Sequence, residues 1–138
     1  MSSPVKTKLT RPPRVTREAL YDAMLDITSE LEQEGYIPVL YHAGPLTLAA
    51  AVVEDNGENK IVVTPSWRSD KESYYSGNRG SVKSLMRLRE ALQSYPPADA
   101  VASKKQLAKL APAIQTVVKA TIDSREKLNK LHFSFPVE

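Results

Sequence analysis

The segment Leu-Thr-Leu-Ala-Ala-Ala-Val-Val, residues 46–53, constrains this chain more than any other. Read with a period of two, both alternating sets are apolar apart from Thr47. As a strand it therefore has no face to turn toward water. Asp55-Asn-Gly-Glu-Asn59 and a second β-rich run, residues 60–64, come next. Asn and Gly tolerate positive φ, so Asn-Gly between two such runs is the sequence of a tight hairpin. Cover for both faces of the first strand must come from helices of the same chain or from a second subunit. A chain of 138 residues has few helices to spend on this, so a two-fold homodimer is expected.

Residues 16–34 supply the first helix. Leu20, Met24, Ile27 and Leu31 recur at helical spacing, Thr16 suits the N-cap, Glu18 sits in the first turn, and Gly35 closes the end. Asp22, Asp26, Glu30 and Glu34 fall on the opposite, solvated face. Residues 36–42 form a short strand, with Pro38 marking an edge position. Residues 81–95 return to helix through Leu85, Leu88, Leu92 and Tyr95, and Pro96-Pro97 stops it. A last helix starts near Ser103, where Ser103 and Gln106 have capping-box spacing. Its stripe runs through Leu107, Leu110, Ile114, Val117, Val118, Thr121, Leu128 and Leu131. Pro112 inside it predicts a kink or break near Ala111. Residues 132–137 alternate weakly, as an added edge strand would.

These elements predict one α+β domain over residues 16–138, in the order α-β-β-β-α-α, with about three antiparallel strands packed with three amphipathic helices. Residues 1–15 carry Lys6, Lys8, Arg11 and Arg14 with no acid, and also Pro4, Pro12 and Pro13. They read as a flexible basic arm.

Composition narrows function mainly by exclusion. There is no cysteine, which removes disulfides, thiol nucleophiles and thiolate metal sites. No apolar run approaches the roughly 20 residues of a membrane span, and no apolar core follows the N-terminal charges, so no membrane is expected and the cytoplasm is the default compartment. His42 and His132 lie ninety residues apart with no ligand-spaced partner. Asp70 and Glu72 are close in sequence but unremarkable as a pair in a loop. No phosphate-binding glycine motif or nucleophile elbow occurs, so neither an enzyme nor a cofactor is expected.

The net charge of +3 is unevenly distributed: residues 16–35 are acidic and the second half is basic. Arg79, Lys83 and Arg87 recur every four residues and so share one helical face. Gly77 and Gly80 bracket Asn78 and Arg79 just before that helix, where backbone N–H groups favour phosphate. Trp67, Tyr74 and Tyr75 interleave with Arg68 and Lys71, a mixture suited to base stacking beside phosphate contacts. Residues 71–76 also have the makings of a further short strand. Lys104, Lys105 and Lys109 form a second cluster at the start of the last helix, where they oppose its dipole.

The α-β-β-β-α order resembles a double-stranded RNA-binding domain, as do Gly44-Pro45 and the Ser103-Lys104-Lys105 helix start. In that family the lysine-bearing helix follows the third strand directly, whereas here residues 81–95 intervene, and Leu107 is an extra residue before Ala108-Lys109. Membership is not assigned. The sequence favours a non-enzymatic protein that binds nucleic acid or another phosphate-bearing ligand. The alternative is a small protein-interaction module, a regulator, inhibitor or assembly factor of viral or mobile-element type, with a protein partner.

Overall fold

The computed structural model describes residues 16–68, 79–123 and 131–137. Helix α1 (Arg17–Gln33) precedes β1 (Val39–Ala43), β2 (Leu46–Asp55) and β3 (Glu58–Trp67). Helices α2 (Arg79–Leu92) and α3 (Lys104–Asp123) follow, and β4 (Phe133–Pro136) returns to the sheet. The strands form one antiparallel sheet ordered β1-β2-β3-β4. The α+β class is as the sequence indicates, and the weak alternation near the C-terminus is a fourth strand. The 1–15 arm and the 71–76 segment lie outside the described residues.

The layers follow from β2, whose residues from Leu46 to Val53 are all buried. Leu46, Leu48, Ala50 and Val52 share one core with Leu107, Ala111, Ile114 and Val118 of α3. Ala49, Ala51 and Val53 share the other with Met24, Ile27 and Leu31 of α1 and Leu85, Leu88 and Leu92 of α2. The sheet is thus sandwiched, with α1 and α2 on one side and α3 on the other. Each fully buried Leu or Ile in these cores contributes roughly 1.5–3 kcal/mol. Both faces of β2 are covered from within the chain, so the missing cover that pointed to a homodimer does not exist.

The chain changes sides along the open half of β2. β1 pairs only with Leu46 to Ala50. Beside the rest of β2, the Glu54 N–H donates to Pro96 O at 2.9 Å and the Ala98 N–H to Val52 O at 3.3 Å. The link after α2 thus runs past β2 and delivers α3 to the opposite face.

Local signals act where the sequence places them. Asn56 (φ 53°) and Gly57 (φ 82°) make the two-residue hairpin turn, with Asp55 opposite Glu58. Thr16 Oγ1 accepts from the Ala19 N–H. Gly35 adopts φ 99°, and its N–H donates to Glu32 O while that of Tyr36 donates to Leu31 O, each at 3.0 Å. Those two bonds are the Schellman closure of α1. Ser103 and Gln106 cap α3 reciprocally, at 2.9 and 3.1 Å.

Four expectations are corrected. Tyr36 is not in a strand. It is buried after α1, its hydroxyl donates to Leu92 O and Tyr95 O, and β1 starts only at Val39. β3 continues past Thr64 to Trp67 because Pro65 directs its carbonyl toward α2, not β2, so its missing N–H costs no ladder bond. Of the kink or break expected near Ala111, the break does not occur, since α3 runs through Pro112. Pro112 and Ala108 are both exposed, so water can satisfy the carbonyl that loses its donor. The stripe of α3 uses buried Ala111 in place of Val117, which is 43% exposed. Leu128 lies outside the described residues, and Leu131 packs from the segment before β4, beyond the helix.

Candidate functional site

Of the loop residues expected to contact an anion, Lys71, Tyr74 and Tyr75 lie outside the described residues, as do Gly77 and Asn78. Gly80 is buried in the first turn of α2. Arg68 is half-buried directly after β3, its N–H donating to Pro45 O at 2.8 Å.

The α2 row does not behave as a single set of cations. Arg79 and Lys83 are exposed. Arg87 instead lies against β3, donating from Nη1 to Pro65 O at 2.7 Å and to Ser66 Oγ at 3.5 Å. Burial pushes its guanidinium below the ordinary arginine value, and Glu90 partly offsets this. Nearby, Ser84 Oγ donates to Thr64 O at 2.6 Å and Thr64 Oγ1 to Ser84 O at 2.7 Å. Together these bonds fasten α2 to the half of β3 that β4 does not reach. Arg89 pairs with Glu30 of α1 at 3.0 Å.

α3 presents a different picture. Lys104, Lys105 and Lys109 are exposed, and so are Pro112, Thr116 and Lys119 farther along. Helical geometry places Lys105, Lys109, Pro112, Thr116 and Lys119 on the arc opposite Leu107, Ile114 and Val118. No acidic residue occurs in α3 before Asp123. Lys105 and Lys119 are separated by roughly 21 Å along the axis at 1.5 Å per residue.

Two cavities flank this face. One, of about 240 Å³, is lined by Ser103, Lys105, Gln106, Lys109 and Leu110 against Ile61 and Pro136. The other, of about 380 Å³, lies toward the far end of the helix, where Pro112, Gln115, Thr116 and Lys119 meet Pro45, Leu46 and Trp67. Trp67 is 44% exposed there. On the other side of the sheet, Asp22, Asp26, Glu30, Glu32 and Glu34 of α1 and its cap are exposed. The exposed side of α1 is therefore acidic and that of α3 basic, with the sheet between them.

The histidines belong to opposite edges of the sheet, His42 in β1 and His132 just before β4. His42 Nδ1 is 3.1 Å from Thr47 Oγ1. Burial holds its pKa below the ordinary value, and the charges of Arg68 and Lys104 add to this. Among the described residues no group of three or more His, Asp or Glu is placed to hold a metal ion. No described helix is long and apolar enough to cross a membrane. Asp70 and Glu72 lie outside the described residues.

Sequence reasoning did not reach Lys119 or Gln115, and it ended the second β-rich run at residue 64, short of Trp67 at the strand end beside α3. A signal for Lys119 was present. Projecting the helix beyond Pro112 puts it on the same arc as Lys105.

Comparison with protein-family models, with curated proteins and with solved structures finds no match to this chain.

Proposed function

We propose that this chain is a non-catalytic nucleic-acid-binding protein that takes a phosphate backbone along the outer face of α3. One observation carries the reading. The exposed arc of α3 bears Lys105, Lys109 and Lys119 with no acid before Asp123, while the acids of α1 lie on the far side of the sheet. A polyanion is drawn to one side of such a molecule and repelled from the other. Lys104 adds charge at the helix start, and the cavity beside Lys105 and Lys109 gives the contact a concave seat. Arg79 and Lys83 lie in the layer that also contains acidic α1, so they are secondary.

The test is oligonucleotide affinity across a salt series. Binding should weaken steeply with salt, and Lys105→Gln, Lys109→Gln and Lys119→Gln should each reduce the log–log slope by about one unit for each lost phosphate contact. Arg79→Gln and Lys83→Gln should leave it nearly unchanged. No binding by the folded parent at low salt would sink the reading. The segregated charge would then favour a charged protein partner.

A further inference from the structure

We infer that the cavity bounded by Trp67 and Pro112 receives one unstacked nucleobase, which makes the preferred ligand single-stranded. The inference rests on the α3 reading for the identity of the polymer, but on separate residues for the pocket. The chain contains a single tryptophan, and it stands partly exposed at the end of β3 instead of in either core. Pro45, Leu46 and Pro112 give the same cavity apolar walls, and Gln115, Thr116 and Lys119 give it a polar side. Its volume of about 380 Å³ is at the small end of the range for ligand pockets, roughly 300–1,000 Å³.

The polar groups narrow the chemistry. Gln115 Nε2 donates to Ala43 O at 3.3 Å, which anchors the carboxamide while its oxygen remains able to accept from a ligand. Thr116 Oγ1 is already committed as a donor to Pro112 O at 3.0 Å. Lys119 is exposed and brings a cation. An indole face, an amide and an ammonium around apolar walls suit a planar heteroaromatic ring with an attached anion. A nucleotide has that composition, with the base on Trp67 and its phosphate toward Lys119. Lys109 then lies roughly 15 Å along the axis from Lys119, in position for phosphates farther along the strand. A base inside a duplex has both ring faces stacked and its edge paired, so it cannot enter without being extruded. Stacking on an aromatic side chain is tolerant of base identity, so little sequence preference is expected.

The sole tryptophan makes its fluorescence a local probe, read on the unmodified protein. Single-stranded oligonucleotide should quench it saturably, adenosine monophosphate should quench it with weaker affinity, and duplex of the same length should leave it nearly unmoved. Trp67→Ala should weaken single-strand binding about 5- to 150-fold with no change in salt slope, and Trp67→Phe should restore most of the loss. Lys119→Gln should lower the slope yet keep the quenching. Salt-dependent binding with unmoved fluorescence, and a folded Trp67→Ala that binds like the parent, would overturn the subsite and leave the α3 reading intact. Equal quenching by duplex would overturn the single-strand preference. Quenching by the mononucleotide without oligonucleotide binding would support the pocket and refute the α3 reading.

Discussion

Arg87 offers the sharpest separation between what its sequence position suggests and what its contacts do. On a helical wheel it belongs with Arg79 and Lys83 as a phosphate contact. In the fold, its guanidinium meets the carbonyl of buried Pro65 at 2.7 Å. Arg87→Ala removes that donor and leaves the carbonyl unpaired, which costs about 1–3 kcal/mol for a buried acceptor. Because the guanidinium is only partly buried, water replaces some of the loss, and about 1–2 kcal/mol is the working figure. For a chain of this size that lowers Tm by about 3–8 °C. Thermal unfolding followed by circular dichroism reads the shift. Oligonucleotide titrations below the transition should give the same affinity and salt slope as the parent. Arg87→Lys should recover only part of the stability, since an ammonium lacks the planar fork. An Arg87→Ala protein that melts with the parent, yet loses about one unit of salt slope, would refute this assignment and restore the α2 row as the anion site.

Two further outcomes follow from backbone and proton chemistry. Gly35 holds φ 99° and an added Cβ would meet Pro97 Cγ at 3.1 Å, whereas Gly57, at φ 82°, has nothing within 4 Å. Both alanine variants incur the left-handed penalty of roughly 1–2 kcal/mol, so urea unfolding should show Gly35→Ala as the less stable; equal losses would show that Pro97 yields freely. His42 has a depressed pKa in the fold, caused by burial first and then by Arg68 and Lys104. The unfolded chain binds the proton more readily, so this stability is complete above the ordinary value near 6.5 and is lost as pH falls through the lower folded value. The difference in stability between parent and His42→Gln should therefore shrink on acidification below about pH 6.5, and a difference constant down to pH 5 would exclude the mechanism.

Legibility of the fold depended on how far each signal had to reach. Asn56-Gly57, Gly35 and the Ser103–Gln106 box act within a few residues, so the sequence displays the cause and the turn or cap together. The doubly apolar β2 carried more, since it required a layer on each side, but it did not say whose helices would supply them. Proline is harder to read than these. A missing N–H matters only if it would have faced a partner, and that is decided by tertiary packing. Pro65 turns its carbonyl toward α2, and Pro112 lies on the solvated side of α3. Tyr36 shows the same limit. Its alternation suits a strand, but its hydroxyl finds the carbonyls at the end of α2, more than fifty residues away.

The site was less legible because a spacing of four identifies a shared helical face without saying what stands against it. Arg79, Lys83 and Arg87 share a face by geometry, yet only the first two are exposed. A charge sum over a segment has the same blindness. The basic residues of α2 lie in one layer with acidic α1, and Arg89 is already drawn to Glu30. The lysines of α3 are separated from those acids by the sheet, with packed layers about 10 Å apart. With a Debye length of about 8 Å at physiological salt, charges across two such layers are largely screened from one another, while neighbours within a layer are not. The lysines of α3 therefore stand apart from the acids of α1, although α2 has comparable basic charge in sequence. On the proposed reading, the same layering that covers β2 on both faces leaves the α3 side as the one a polyanion would approach.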